Sequence, residues 1–153
     1  MRKDILKMCI EIEVEVSRIY KALIDYFPEF EREWRELSAE EENHAMILNM
    51  ASDYKSIGLL KEELVPQLLS DLDESLSLIE ELETRIYNHT ISLEELIDKL
   101  IFLEKTMAES FLQESMTKEE GSEIFLKLKR LYLTEEAHEK RLARLKKKIG
   151  FKQ

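Results

Sequence analysis

The chain has 153 residues, the length of one domain, and a hydrophobic fraction of 44%, which is enough for one buried core. The formal net charge of −10 at pH 7 disfavours a nucleic-acid partner, because phosphate backbones carry the same sign. Cys9 is the single cysteine, so the chain can form neither an internal disulfide nor a Cys-x-x-Cys metal knuckle. No apolar run reaches the roughly 20 residues of a membrane span, and the first residues do not resemble a signal peptide. We therefore expect a cytoplasmic protein without membrane or nucleic-acid partners.

With three Gly and two Pro, the chain has few helix breakers, and the composition predicts an all-α fold. Apolar residues at helical spacing predict helix A over residues 3–26, which ends before Pro28. The same spacing predicts helix B over residues 29–55, and Gly58 follows its end.

The second half of the chain begins with a predicted crossover helix, 66–87, in which Pro66 suits the first turn. Ser92 and Glu95 have the form of a capping box that opens helix C, residues 93–116. Helix D is predicted over residues 122–148, with Gly150 closing it. Short A–B and C–D connections and a long B–C segment predict a single antiparallel four-helix bundle with a partly helical crossover.

Two histidines each follow a glutamate by three residues, and such pairs share one helix face. The pairs are Glu41 with His44 in helix B and Glu135 with His138 in helix D. Both pairs lie within apolar stripes, so both are predicted to face the core. In helix B this stripe consists of Phe30, Trp34, Leu37, Glu41, His44 and Leu48.

Helices A and C each place one glutamate in their apolar stripes, Glu13 and Glu104. Four carboxylates in an apolar core repel one another and lose hydration, at a cost of several kcal/mol per ion. Two divalent cations would neutralise them, whereas a purely structural core would more simply use Leu at these positions. Protonation of the carboxyl groups is the alternative.

These residues together resemble the ferritin-like di-iron carboxylate proteins, nearest the rubrerythrin branch. The resemblance is carried by Glu13 with Tyr20 seven residues later, Glu41-x-x-His44, Glu104 with Phe111 seven residues later, and Glu135-x-x-His138. It implies a ferritin-like bundle that binds two iron ions through Glu13, Glu41, His44, Glu104, Glu135 and His138. In that site Glu41 and Glu135 bridge the irons, and each of the other four residues binds one iron.

The resemblance also implies an oxidoreductase of peroxidase or ferroxidase type, in which ferrous and ferric iron react with peroxide or dioxygen. Tyr20 and Tyr132 are candidates for hydrogen bonds to the ligand carboxylates, or for simple packing. Because a lone cysteine cannot form a rubredoxin centre, an enzyme of this kind needs an external electron-donor protein. Met107 stands where rubrerythrins carry a further glutamate, so their redox-linked ligand exchange is not expected.

Two other functions fit the same residues. One is a non-catalytic iron or manganese binding or storage protein, and manganese or zinc suits the same ligands as iron. The other is a structural module whose crossover helix recruits partners, and the apolar positions of this helix also suggest a homodimer. Of the remaining candidates, we expect Cys9 to be core and His89 to be ordinary surface, while Glu42 and Glu136 point away from the stripe.

Overall fold

The computed structural model describes residues 4–59, 69–115 and 123–152, and all regular structure in these ranges is helical. The prediction of an all-α fold is therefore confirmed. The helices in chain order are α1 (Ile5–Tyr26), α2 (Glu31–Ser56), α3 (Leu69–Tyr87), α4 (Leu93–Ser115) and α5 (Glu123–Lys152), and a 3₁₀ turn, Pro28–Phe30, precedes α2. The side chains of residues 69–71, 107–115, 124–125, 128–129, 131–136 and 151–152 lie outside the description.

Helix α1 begins and ends close to the predicted positions. The carboxylate of Asp4 caps its first turn by accepting a hydrogen bond from the backbone N–H of Lys7 at 3.2 Å. At the other end Pro28 starts the 3₁₀ turn, and the indole Nε1 of the fully buried Trp34 donates to the carbonyl of Phe27 at 3.0 Å. This bond ties the start of α2 to the turn and closes the α1–α2 hairpin.

The ends of the other helices also have local causes. Gly58, with a φ of 79°, adopts the left-handed conformation after α2, where a glycine has no Cβ penalty. Ser92 Oγ accepts from the backbone N–H of Glu95 at 3.2 Å and caps α4. The predicted start of the crossover helix (66–68), the end of helix C (116) and the start of helix D (122) lie outside the described residues.

The end of helix D differs from its predicted boundary. Gly150 does not close the helix at residue 148, because α5 continues through it to Lys152. A glycine ends a helix when it adopts positive φ, and Gly150 does not do so.

The helices pack as two hairpins. Helix α1 packs most extensively against α2, and α4 packs against α5. Helix α2 also contacts α5, while α3 contacts both α1 and α4. The core between them consists mainly of leucine and isoleucine, and full burial of each such side chain contributes about 1.5–3 kcal/mol.

A buried pair of serines lies where α1 and α2 meet. The hydroxyls of Ser17 and Ser38 are 3.0 Å apart, and each Oγ also lies 3.2 Å from the backbone carbonyl of the other residue. Such reciprocal bonds require one particular alignment of the two helices. Glu13 is one turn before Ser17 and Glu41 is one turn after Ser38, so the same alignment positions both glutamates.

A membrane-spanning helix is absent from the described part of the chain, where no helix is both long enough and apolar enough.

Candidate metal centre

Four helices bring five of the six predicted ligands into one buried cluster. Each of these side chains is no more than 2% exposed. The five are Glu13 from α1, Glu41 and His44 from α2, Glu104 from α4, and His138 from α5. The side chain of Glu135, the sixth, lies outside the described residues, as does that of Tyr132.

The carboxylate of Glu41 lies between the two histidines. Its Oε1 is 2.9 Å from Nδ1 of His138, and its Oε2 is 3.5 Å from Nδ1 of His44. The two imidazole rings stack with their centroids 5.3 Å apart and their planes at 23°. One oxygen of Glu41 therefore faces each imidazole.

Each histidine also faces a carboxylate from another helix. Glu13 Oε2 lies 3.6 Å from Nδ1 of His44, and Glu104 Oε2 lies 3.5 Å from Nδ1 of His138. The cluster thus divides into two similar halves, each with one imidazole and one carboxylate of its own, and Glu41 is shared by both. Ligand atoms of Glu41, His44 and His138 all lie within 4.8 Å of one another, a separation that one cation could span.

Tyr20 orients the carboxylate of Glu104. Its hydroxyl donates to Glu104 Oε1 at 2.8 Å, and the ring is fully buried beside Trp34, with a centroid separation of 6.2 Å. The other oxygen of Glu104 is the one that faces His138. Of the two roles considered for Tyr20, the hydrogen bond to a predicted ligand is therefore the one observed.

The cluster has the composition of a site for iron, manganese or zinc. Carboxylate oxygen and imidazole nitrogen are ligands that all three metals accept. Among the described residues, Glu13 Oε1 is buried without a hydrogen-bond partner, and an unsatisfied buried carboxylate oxygen is costly. A cation bound between Glu13 and His44 would satisfy this oxygen, so the residues present fit a metal.

Glu40 is a member of the site that the sequence analysis missed. Its Oε2 accepts a hydrogen bond from Nε2 of His138, on the side of the ring opposite Glu41. Glu40 also pairs with Arg141 at 3.8 Å, and Arg141 in turn contacts Glu36. The only sequence signal was a further acid immediately before Glu41, in a chain where acids are common.

The protonation of His138 follows from these neighbours. Burial alone would lower the pKa of His138, but hydrogen bonds and negative charge from Glu104 and Glu40 outweigh it and raise the pKa to about 9. The hydrogen bond from His138 in turn lowers the pKa of Glu40, although partial burial opposes this change. Glu40 therefore stays ionised and holds the ring with Nδ1 directed towards Glu41 and Glu104.

The other candidates lie outside the cluster. Glu42 is exposed and pairs with Lys21, as expected for a residue that points away from the stripe, and the side chain of Glu136 lies outside the described residues. Cys9 is fully buried, and burial, followed by the charge of Glu13, raises the pKa of its thiol, which suits a core residue. His89 is exposed and packs its ring edge against Tyr26, with centroids 4.8 Å apart.

The chain has no significant match among protein-family models, curated proteins or solved structures.

Proposed function

We propose that this protein is a ferritin-like di-iron carboxylate protein, and that it is an oxidoreductase that acts on peroxide or dioxygen. The observation that carries the proposal is the position of Glu41, whose two oxygens face Nδ1 of His44 and Nδ1 of His138. A carboxylate placed between two imidazoles in this way could contribute one oxygen to each of two cations, and a glutamate from each helix belongs to the ligand set of such bundles. The pairing of α1 with α2 and of α4 with α5, with a long segment between them, is compatible with a ferritin-like bundle.

The proposed centre assigns each described residue a role. Glu13 and His44 would hold one metal ion, and Glu104 and His138 the other. Glu41 would bridge them together with Glu135. When bound, iron would supply the redox chemistry by cycling between its ferrous and ferric states.

The surrounding residues would set the geometry of the ligands. Tyr20 fixes one oxygen of Glu104 and leaves the other for the metal. Glu40 accepts a hydrogen bond from Nε2 of His138 and so directs Nδ1 into the site, the usual arrangement of a carboxylate behind a metal-binding histidine. Burial of the five ligands limits the access of bulk water.

The proposal also includes an external electron-donor protein and a cytoplasmic location. The lone Cys9 is buried and cannot form a rubredoxin centre, so electrons for a catalytic cycle would come from another protein. A cytoplasmic location and a homodimer assembled through the crossover helix remain parts of the proposal.

Metal content after anaerobic reconstitution with ferrous iron tests the proposal. We expect about two irons per chain in untagged protein, with a change in optical absorbance when oxygen or peroxide is added. Glu41→Gln should lose this iron, whereas Glu42→Gln, a matched change at the exposed neighbouring position, should retain it. Wild-type protein that retains no metal, or a Glu41→Gln variant that binds iron as the wild type does, would overturn the proposal.

A second candidate is metal binding or storage without turnover. The observation in its favour is the burial of all five described ligands, since a buried site is less accessible to a substrate than to a small ion. Stoichiometric iron or manganese with no consumption of oxygen or peroxide would select this function.

A further inference from the structure

A cleft of about 250 Å³ lies between the first turns of α2 and the C-terminal half of α5. The side chains of α2, and those of α5 from residue 137 to residue 150, are all described, so the charges on both sides of the cleft can be assigned. Most of the residues that line the cleft are basic, namely Arg32 from α2 and Arg141, Arg144 and Lys148 from α5. This local excess of cations occurs in a chain whose formal charge is −10.

Two acids also line the cleft, and one of them engages two of the arginines. Glu36 pairs with Arg32 at 3.1 Å and contacts Arg141 as well. Arg141 lies 3.8 Å from Glu40 too, so acids of α2 hold both of these arginines in place. The second acid of the lining, Glu33, forms no ion pair with any described residue. The acids therefore leave part of the positive charge of the cleft uncompensated.

Arg144 and Lys148 are the two cations that can receive a ligand. Both side chains are exposed, and within the described ranges neither forms an ion pair or a side-chain hydrogen bond. Their spacing of four residues places them on one face of α5. A helix C-terminus attracts cations to its last turn, but α5 continues to Lys152, so this effect does not account for the position of Arg144. Two unpaired cations on one wall of a cleft favour the binding of an anion.

We propose that this cleft binds a phosphate group, either as inorganic phosphate or as the terminal group of a small phosphomonoester. A phosphate dianion matches the charge of Arg144 and Lys148 together, and a guanidinium offers it two parallel N–H donors. Leu145 is the apolar residue of the lining, so the cleft suits a compact hydrophilic anion better than an alkyl chain. Its volume is below the roughly 300–1,000 Å³ of drug-sized sites, which also favours a small ligand. The inference goes beyond the proposed function, because none of these contacts requires a metal.

Calorimetric titration of metal-free protein at pH 8, where a phosphomonoester is close to a dianion, tests the site. The wild type should bind inorganic phosphate or glycerol 3-phosphate saturably, and acetate at the same ionic strength should bind more weakly. Arg144→Gln/Lys148→Gln should reduce phosphate affinity about tenfold, or by roughly 1.4 kcal/mol. Lys105→Gln/Lys147→Gln removes two positive charges from exposed positions outside the cleft and should bind phosphate as the wild type does.

A further variant should change the affinity in the opposite direction. Glu33→Gln removes an acid of the lining and should increase phosphate affinity, whereas Glu29→Gln, at an exposed position outside the cleft, should not. Absence of phosphate and glycerol 3-phosphate binding to the wild type, or equal losses in the two double variants, would overturn the inference. Because binding is measured on metal-free protein, its failure is distinct from failure to retain iron, which would overturn only the proposed function.

Discussion

His44 and His138 stack their imidazole rings 5.3 Å apart in the core, although the two residues belong to different helices, α2 and α5. Each ring directs Nδ1 towards Glu41, so the two nitrogens lie on either side of one carboxylate. An apolar core gains nothing from such an arrangement, because each buried polar group must find a partner.

Glu40→Gln should weaken metal binding without removing a metal ligand. The change removes the carboxylate that accepts a hydrogen bond from Nε2 of His138, and loss of such a carboxylate typically costs 10–100-fold in metal affinity. Competition titration with a chromophoric chelator measures the affinity. Glu36→Gln is the matched control, because Glu36 also contacts Arg141 but not His138, and it should retain wild-type affinity. Equal affinities in the two variants would exclude the positioning role of Glu40.

Tyr20→Phe should affect one half of the centre more than the other. The variant loses the hydrogen bond from the Tyr20 hydroxyl to Glu104, at a cost of about 1–3 kcal/mol to the free energy of unfolding, because Glu104 is buried. In a metal titration the first equivalent should bind as in the wild type and the second should bind more weakly. Tyr26→Phe, at a half-buried position away from the centre, should leave both equivalents unchanged. Equal weakening of both equivalents would contradict the division into two halves.

Ser38→Ala should destabilise the α1–α2 hairpin. The variant loses the hydroxyl that contacts both the hydroxyl and the carbonyl of Ser17, so urea unfolding should report a loss of about 1–2 kcal/mol. Ser52→Ala on the same helix is only half-buried and should change the free energy of unfolding by less than about 0.5 kcal/mol. A Ser38→Ala variant as stable as the wild type would show that the serine pair does not fix the alignment of the two helices.

The sequence was enough to predict that the ligands face the core, but it did not predict which residues contact them. Glu41 and His44 lie in an apolar stripe that includes Trp34 and Leu48, and this periodicity alone indicates the buried face. The contact between Glu40 and His138 could not be predicted in this way, because it depends on the rotation of α2 relative to α5. Neither residue's position along its own helix contains that information.

The helix ends show the same difference between features that depend on the local sequence and features that depend on contacts between helices. Ser92 caps α4 by a hydrogen bond to a residue three positions away, and the ring of Pro28 prevents α1 from continuing. Both helix ends could therefore be predicted from the local sequence. Gly150 was wrongly expected to end α5, because a glycine permits a helix end without requiring one. The pairing of Ser17 with Ser38 joins residues from two helices and has no local signal at all.

Glu83→Gln should stabilise the protein at alkaline pH. Glu83 is exposed to solvent on one side, but its partial burial, followed by a hydrogen bond and charge repulsion from Glu15, raises its pKa to about 7 in the folded protein, although Arg18 opposes the shift. Because this pKa lies above the value of about 4.5 expected in the unfolded chain, the folded state favours the protonated acid. The stabilisation is fully present below pH 4.5 and is lost as the pH rises through 7. Glutamine mimics the protonated acid at every pH.

The difference in melting temperature between Glu83→Gln and the wild type should therefore be small at pH 4.5, grow as the pH rises towards 7, and level off by pH 8. Glu74→Gln, at another exposed position of the same helix, removes an acid other than the one that pairs with Glu15 and should not produce this pH-dependent difference. If the acid pair across α1 and α3 is responsible, Glu15→Gln should reduce the effect of adding Glu83→Gln, because the repulsion from Glu15 is then already absent. A stability difference that is constant between pH 4.5 and pH 8 would mean that Glu83 titrates alike in the folded and unfolded states.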